Sequence, residues 1–213
     1  MGTLRYIAVE GPIGVGKTSL TTLLAQNFSA RCILEKPSGN PFLARFYQDP
    51  KKYAFQTQIF FLLSRYQQQQ ELQQLDLFNQ VTISDYLFAK DRIFASVSLD
   101  ENELALYERV YRLLTGRIPT PDLVIYLQAK PAVLMSRISQ RDYDYERSIE
   151  PGYLETLVEA YNNFFFHYND SPLLVIDTSE IDFVHREQDM AGLVREIKRP
   201  RKGTWYYVPQ SFG

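Results

Sequence analysis

Tyr6-Ile7-Ala8-Val9-Glu10-Gly11-Pro12-Ile13-Gly14-Val15-Gly16-Lys17-Thr18 reads as a strand, a glycine-rich turn and the start of a helix. The apolar run suits a buried parallel strand. From Thr18 onward Leu20, Leu23, Leu24 and Phe28 recur at helical spacing. The turn between them fits G-x-x-x-x-G-K-[ST], the phosphate-loop pattern, in the strand-to-helix context that the pattern requires. Its glycines let successive backbone N–H groups curl toward phosphate oxygens, and the helix N-terminus adds partial positive charge. Gly11, Pro12, Ile13, Gly14, Val15, Gly16, Lys17, Thr18 and Ser19 are therefore the expected nucleotide-binding residues. Lys17 reaches the transferring phosphates, and the Thr18 hydroxyl is placed to ligate Mg²⁺.

Outward from this loop the chain alternates short apolar runs with helical patterns. Cys32-Ile33-Leu34, Val81-Thr82-Ile83-Ser84-Asp85, Leu123 to Leu127 and Leu173 to Ile176 are the further strand candidates. Helices are expected from Pro41 to Tyr47, from Pro50 to about Leu75, through Phe94, and from Glu101 to Leu114. Three more follow, from Pro131, from Tyr153 to Tyr168 and from Ile181 to Ile197. The expectation is an α/β fold with a five-stranded parallel sheet flanked by helices in three layers. One domain spans residues 1–200, with a short arginine-bearing lid at about 137–150. A basic, then aromatic tail covers 201–213.

Composition narrows the function. The 213 residues carry a net charge of −2, so there is no broad basic field to hold a nucleic acid polymer. The single cysteine, Cys32, excludes an intramolecular disulfide and suits a reducing compartment. No signal-peptide pattern and no membrane-spanning apolar run occurs, so a cytoplasmic location is expected. The 15 tyrosines and 14 phenylalanines either fill a core or line a pocket for a flat ligand. No Asn-Lys-x-Asp guanine motif occurs, which counts against a GTPase switch.

Ligands of doubly wound sheets bind beyond the carboxyl ends of the strands. Glu10, Glu35 and Asp85 end the first three strands and so lie near the phosphates. Glu35 is the expected general base on a substrate hydroxyl. Asp85 holds Mg²⁺, directly or through water, or else caps the following helix. Arg137 and Arg141 share a helix face and are the cations that meet charge as it develops.

Taken in order, these motifs resemble the deoxynucleoside kinases, the family of deoxyadenosine, deoxyguanosine and deoxycytidine kinases and mitochondrial thymidine kinase, and in particular its bacterial branch. The resemblance covers residues 4 to 183. It rests on Gly11 to Ser19, on Glu35 to Leu43, on Phe46-Tyr47-Gln48-Asp49-Pro50, on Phe55-Gln56-Thr57-Gln58 through Arg65, on Ile93-Phe94-Ala95, and on Arg137 to Glu146. It implies that ATP donates a phosphoryl group, with Mg²⁺, to the 5′-hydroxyl of a deoxynucleoside that Glu35 activates. It further implies that Tyr47 and Glu146 bond the 3′-hydroxyl, that Gln58 reads the nucleobase edge, and that Phe94 stacks on the base. Arg65 tunes base choice, Arg137 and Arg141 belong to the lid, and Asp182-Phe183 packs around the adenine of ATP. Phe61 and Lys90 fall near the nucleobase. The family is usually a homodimer.

The chain departs from the family just after Glu35, where Lys36 stands in place of the expected proline and Pro37 follows one later, and again after the third strand. Glu-Arg-Ser is common after the third strand, and Ser84-Asp85-Tyr86 stands here, so the arginine expected beside the base is missing. Two rival functions follow. A nucleoside monophosphate kinase of the thymidylate kinase type would use Arg65, Lys90 and Arg92 to hold an acceptor phosphate. A nucleotide-binding module without catalysis is the other.

Overall fold

The computed structural model describes residues 4–74, 81–116, 118–141, 143, 146–199 and 202–207. The expected helix end at Leu75, part of the lid (142, 144 and 145), residue 200 and part of the tail (201 and 208–213) lie outside the described residues. Six strands form one parallel sheet: β1 (Tyr6–Glu10), β2 (Arg31–Ile33), β3 (Thr82–Ser84), β4 (Leu123–Gln128), β5 (Leu173–Asp177) and β6 (Thr204–Tyr207). Their spatial order is β2-β3-β1-β4-β5-β6.

The continuous apolar runs are explained by burial on both faces. In β1, Ile7 and Val9 face one core while Ala8 faces the other. In β4, Leu123, Ile125 and Leu127 alternate in the same way with Val124 and Tyr126. The first face is covered by α1 (Lys17–Phe28), α6 (Pro131–Arg141) and α8 (Glu187–Ile197). The second is covered by α4 (Asp91–Ser98) and α7 (Pro151–Phe166). Further out, α3 (Pro50–Gln74) and α5 (Glu101–Thr115) pack around Leu62, Tyr107 and Tyr111. A short helix, α2 (Leu43–Gln48), leads into α3. Among the described residues no helix is long and apolar enough to cross a membrane.

Three expectations are corrected. The sheet has six strands, not five, because tail residues Thr204–Tyr207 pair with Leu173 to Ile176 of β5. Burial of Trp205 in the first core anchors this strand. The last helix begins at Glu187, not Ile181. The Asp182 carboxylate accepts from the N–H groups of Val184 and His185 at 3.1 and 3.0 Å and folds this stretch into a separate turn. The helix expected from Pro41 begins at Leu43. Just before it, the Asn40 side chain accepts from Phe42 N–H and donates to the Thr57 carbonyl, tying this loop to α3.

The aromatic surplus divides between core and cavity. Tyr126 and Phe165 stack at 4.1 Å within the second core, with Tyr161 and Tyr168 beside them. Tyr47, Phe61, Phe94 and Tyr153 instead line a cleft at the carboxyl edge of the sheet.

Candidate active site

The phosphate loop leaves the central strand β1 and separates two cavities. Gly14 and Gly16 have φ of +84° and +102°, a region that favours glycine. Space excludes larger residues as well. A Cβ on Gly14 would stand 2.9 Å from the Leu134 carbonyl oxygen, and one on Gly16 would stand 3.0 Å from the Phe183 ring. Lys17 Nζ donates to the carbonyls of Gly11 and Pro12 at 2.7 and 3.1 Å. Burial pushes its pKa down to about 8, helped by the neighbouring Lys90 charge and opposed by Glu10, Glu35 and Asp85.

The three strand-end acids have three distinct surroundings. Glu10 is fully buried and structural. Its carboxylate accepts from the N–H groups of Gly11 and Leu87 and from the Tyr161 hydroxyl, joining the loop to both flanking elements. Asp85 accepts from the Thr18 hydroxyl and from the Glu35 N–H, both at 2.7 Å. It is therefore not the cap of the following helix, and it links the phosphate loop to the segment that carries Glu35. Thr18 and Asp85 give an all-oxygen pair that suits a hard cation such as Mg²⁺. Among the described residues there is no cluster of three or more His, Cys, Asp or Glu for a metal, so phosphates and water would complete the ion's shell.

Glu35 sits in the first cavity between two cations. Arg65 bonds Oε1 through Nε at 2.6 Å and also through Nη2, while Lys90 Nζ bonds Oε2 at 2.8 Å. Arg65 gives its remaining Nη1 to Asp91. Arg65, Lys90 and Asp91 are all nearly inaccessible to solvent. Burial alone would raise the Glu35 pKa, but the charges of Arg65 and Lys90 outweigh it and hold the carboxyl at about 2. The sequence places Lys90 near the nucleobase, whereas the structure puts it on the carboxylate of Glu35.

The remainder of this cavity mixes apolar side chains such as Leu43, Phe46, Phe61 and Phe94 with polar ones such as Gln58 and Glu146. Its open and enclosed space totals about 870 Å³. Gln58 is buried in the wall, and its amide has no protein partner among the described residues. Phe61 lies under the Arg65 guanidinium at 4.8 Å, and Phe94 meets Tyr161 edge-on at 6.0 Å. Glu146 presents a buried Oε2 without a hydrogen bond among the described residues. Burial raises its pKa, opposed by Arg141 and Lys17. Tyr47 lines the same wall, as does Tyr153 of α7. Tyr153 was not singled out from the sequence, since its spacing is that of an ordinary helical core residue.

The second cavity lies across the loop and shares Gly14, Gly16 and Arg141 with the first. Ser19, Arg137, Asp182 and Phe183 belong to it. Arg137 and Arg141 both sit on α6, as expected, but they are placed differently. Arg137 donates to the Thr178 hydroxyl and carbonyl at 3.1 and 2.8 Å and to the Val15 carbonyl at 3.4 Å, bracing the loop from behind. Arg141 is exposed and borders both cavities. Apart from Arg92, which pairs with Glu108 and lines neither cavity, the residues singled out from the sequence as site candidates lie on the phosphate loop or around the cavities beside it.

A family model described as deoxynucleoside kinase matches residues 7–200. The chain belongs to the deoxynucleoside kinase family. It is 36% identical over 203 residues to a deoxyguanosine kinase of Bacillus subtilis, covering 93% of this chain and 98% of that one. It is 35% identical to a deoxyadenosine kinase of Dictyostelium discoideum, covering 98% and 85%. Among solved structures, deoxyadenosine kinase from M. mycoides with bound dATP matches with a TM-score of 0.80 and 26% identity, covering 92% of this chain and 100% of that one. As a deoxynucleoside kinase the protein is an enzyme, and its parallel sheet and flanking helices are those of its relatives.

Proposed function

We propose that this kinase transfers the γ-phosphoryl group of ATP to the 5′-hydroxyl of a deoxynucleoside, with Glu35 as general base. The observation that carries the reading is the pair of cavities meeting at Gly14 and Gly16, one of which holds a half-buried, ionised carboxylate. The acceptor lies in the Glu35 cavity and the donor in the other. Gln58 reads the base edge, because an unpartnered amide offers both a donor and an acceptor. Phe94 and Phe61 take the faces of the base. Tyr47 and Glu146 bond the sugar 3′-hydroxyl. Lys17 and the loop amides bind the donor phosphates, and Arg141 neutralises charge from the lid. Arg137 supports the donor side, and Asp182 and Phe183 enclose the donor's base.

Mg²⁺, held by Thr18 and Asp85, would neutralise phosphate charge as it develops. The relatives' names make a purine deoxynucleoside the first substrate to test. The monophosphate kinase reading is weakened by the fate of its three cations. Arg65 and Lys90 are engaged with Glu35 and Asp91, and Arg92 pairs with Glu108 at 2.8 Å. We further propose a homodimer that meets through the outer helices, where Leu63, Leu106 and Leu113 are exposed, and a cytoplasmic location in nucleotide salvage.

The test is a kinase assay with ATP and Mg²⁺ over the four deoxynucleosides and their monophosphates, reading product mass. Phosphorylation of nucleosides alone is expected. Preferential conversion of monophosphates would overturn the reading.

A further inference from the structure

The two oxygens of the Glu35 carboxylate are not equivalent. Oε1 accepts from both Nε and Nη2 of Arg65. A carboxylate oxygen has two in-plane lone pairs, so Oε1 is full. Among the described residues Oε2 accepts only from Lys90 Nζ, at 2.8 Å, and so keeps one lone pair open, and Glu35 lines the cavity.

The two cations differ too. Arg65 is divided: it also pairs with Asp91 and lies against Phe61. Lys90 is undivided. Glu35 is its one carboxylate partner among the described residues, and its ammonium also lies 6.0 Å from the Tyr86 ring. Lys90 is 2% exposed and lines the same cavity as Glu35. Glu35, Asp91, Arg65 and Lys90 balance two charges against two, and loss of Lys90 would leave the cluster one negative charge in excess.

We propose that Lys90 is the positioning residue for the base: it fixes Glu35 so that the free lone pair of Oε2 takes the proton of the acceptor hydroxyl. The O–H bond breaks as the P–O bond to the donor γ-phosphorus forms, the proton passes to Oε2, and the electron pair of the broken donor bond leaves on the diphosphate. Lys90 keeps its own proton throughout. A nucleobase that draws on Arg65 or Asp91 leaves this grip intact, because Lys90 does not share it. The inference rests on Glu35 being the base, and the experiment separates the two claims.

The experiment compares Lys90→Met, Lys90→Arg, Glu35→Gln and the Lys90→Met/Glu35→Gln double variant by kcat and by KM for both substrates. Lys90→Met should lower kcat about 10- to 100-fold with both KM values within about threefold. Lys90→Arg, which keeps the charge, should stay within about fivefold of the parent. In the Glu35→Gln background, Lys90→Met should cost less than about twofold more, since a residue acting only through Glu35 has nothing left to act on. An additive loss would overturn the proposal by placing Lys90 on substrate or phosphates, and so would a Lys90→Met enzyme with parental kcat. If Lys90→Met fails to fold, as its excess buried charge allows, Lys90→Arg and the rebalanced double variant decide. A double variant well below Glu35→Gln alone would overturn the proposal. If Glu35→Gln alone keeps full kcat, the base assignment itself is wrong.

Discussion

The two cavities beside the phosphate loop are built on opposite plans. The Glu35 cavity is wired in advance: buried Arg65, Lys90 and Asp91 hold one another and the Glu35 carboxylate in fixed pairs. The cavity on the other side is bordered by exposed Arg141, Val184 and His185, and its polar Arg137 bonds the Val15 carbonyl of the loop and Thr178 just beyond β5. The difference fits the proposed division, with the acceptor in the first cavity and the donor in the second. A small neutral acceptor offers little charge, so selectivity has to come from groups placed beforehand, at a desolvation cost that only mutual pairing offsets. A triphosphate brings its own charge and can be held by loop amides and a lysine.

If the loop serves both cavities, Lys17→Met should strike both. The expected loss in kcat is about 1,000-fold or more, whichever substrate is varied. A defect confined to ATP KM would mean that the lysine only binds the donor. Gln58→Ala probes one cavity alone. Steady-state kinetics should give a drop of about 100-fold in kcat/KM for the deoxynucleoside with ATP KM unchanged, because a site built around a base-edge amide loses its discrimination with it.

The pH dependence also separates the two sides. The Lys17 pKa of about 8 lies below the ordinary lysine value, so the free enzyme keeps the ammonium below that pH and loses it as pH rises through it. Since phosphate binding needs the charge, kcat/KM for ATP should fall above about pH 8, by about tenfold per unit. With phosphates bound the ammonium is stabilised, and kcat should hold. Glu35, held near 2, should contribute no acid limb above about pH 4. An acid limb that disappears in Glu35→Gln would show that the two cations do not keep the carboxylate ionised.

The smallest effect is expected on the donor side. Phe183→Ala removes a buried ring that rests on Gly16. It should raise ATP KM about fivefold and lower stability by about 3 kcal/mol, with the deoxynucleoside KM unchanged. Thermal unfolding and two-substrate kinetics check both parts.

How much of this was legible in the sequence depended on the distance over which each feature is encoded. The phosphate loop lies within one strand–turn–helix, so Gly11 to Ser19 could be read directly. Five strands were legible as short apolar runs because both faces are buried. The sixth was not: Thr204–Tyr207 follows a basic stretch, and only its pairing with β5 makes it a strand. Glu35 and Asp85 were legible from their place at strand ends. The grip on Glu35 was not, because Arg65 and Lys90 reach it from 30 and 55 residues away. A lysine in a helical lead-in carries no local mark of burial against a carboxylate. The same holds for Asp182, whose side chain opens a separate turn where periodicity alone suggests a helix.

The most direct test is the steady-state rate of Glu35→Gln at saturating ATP and deoxynucleoside, with both KM values measured. A fall in kcat of about 100- to 10,000-fold with KM values within about threefold is the predicted result. Unchanged turnover, or a defect confined to KM, would contradict the placement of the base in the wired cavity.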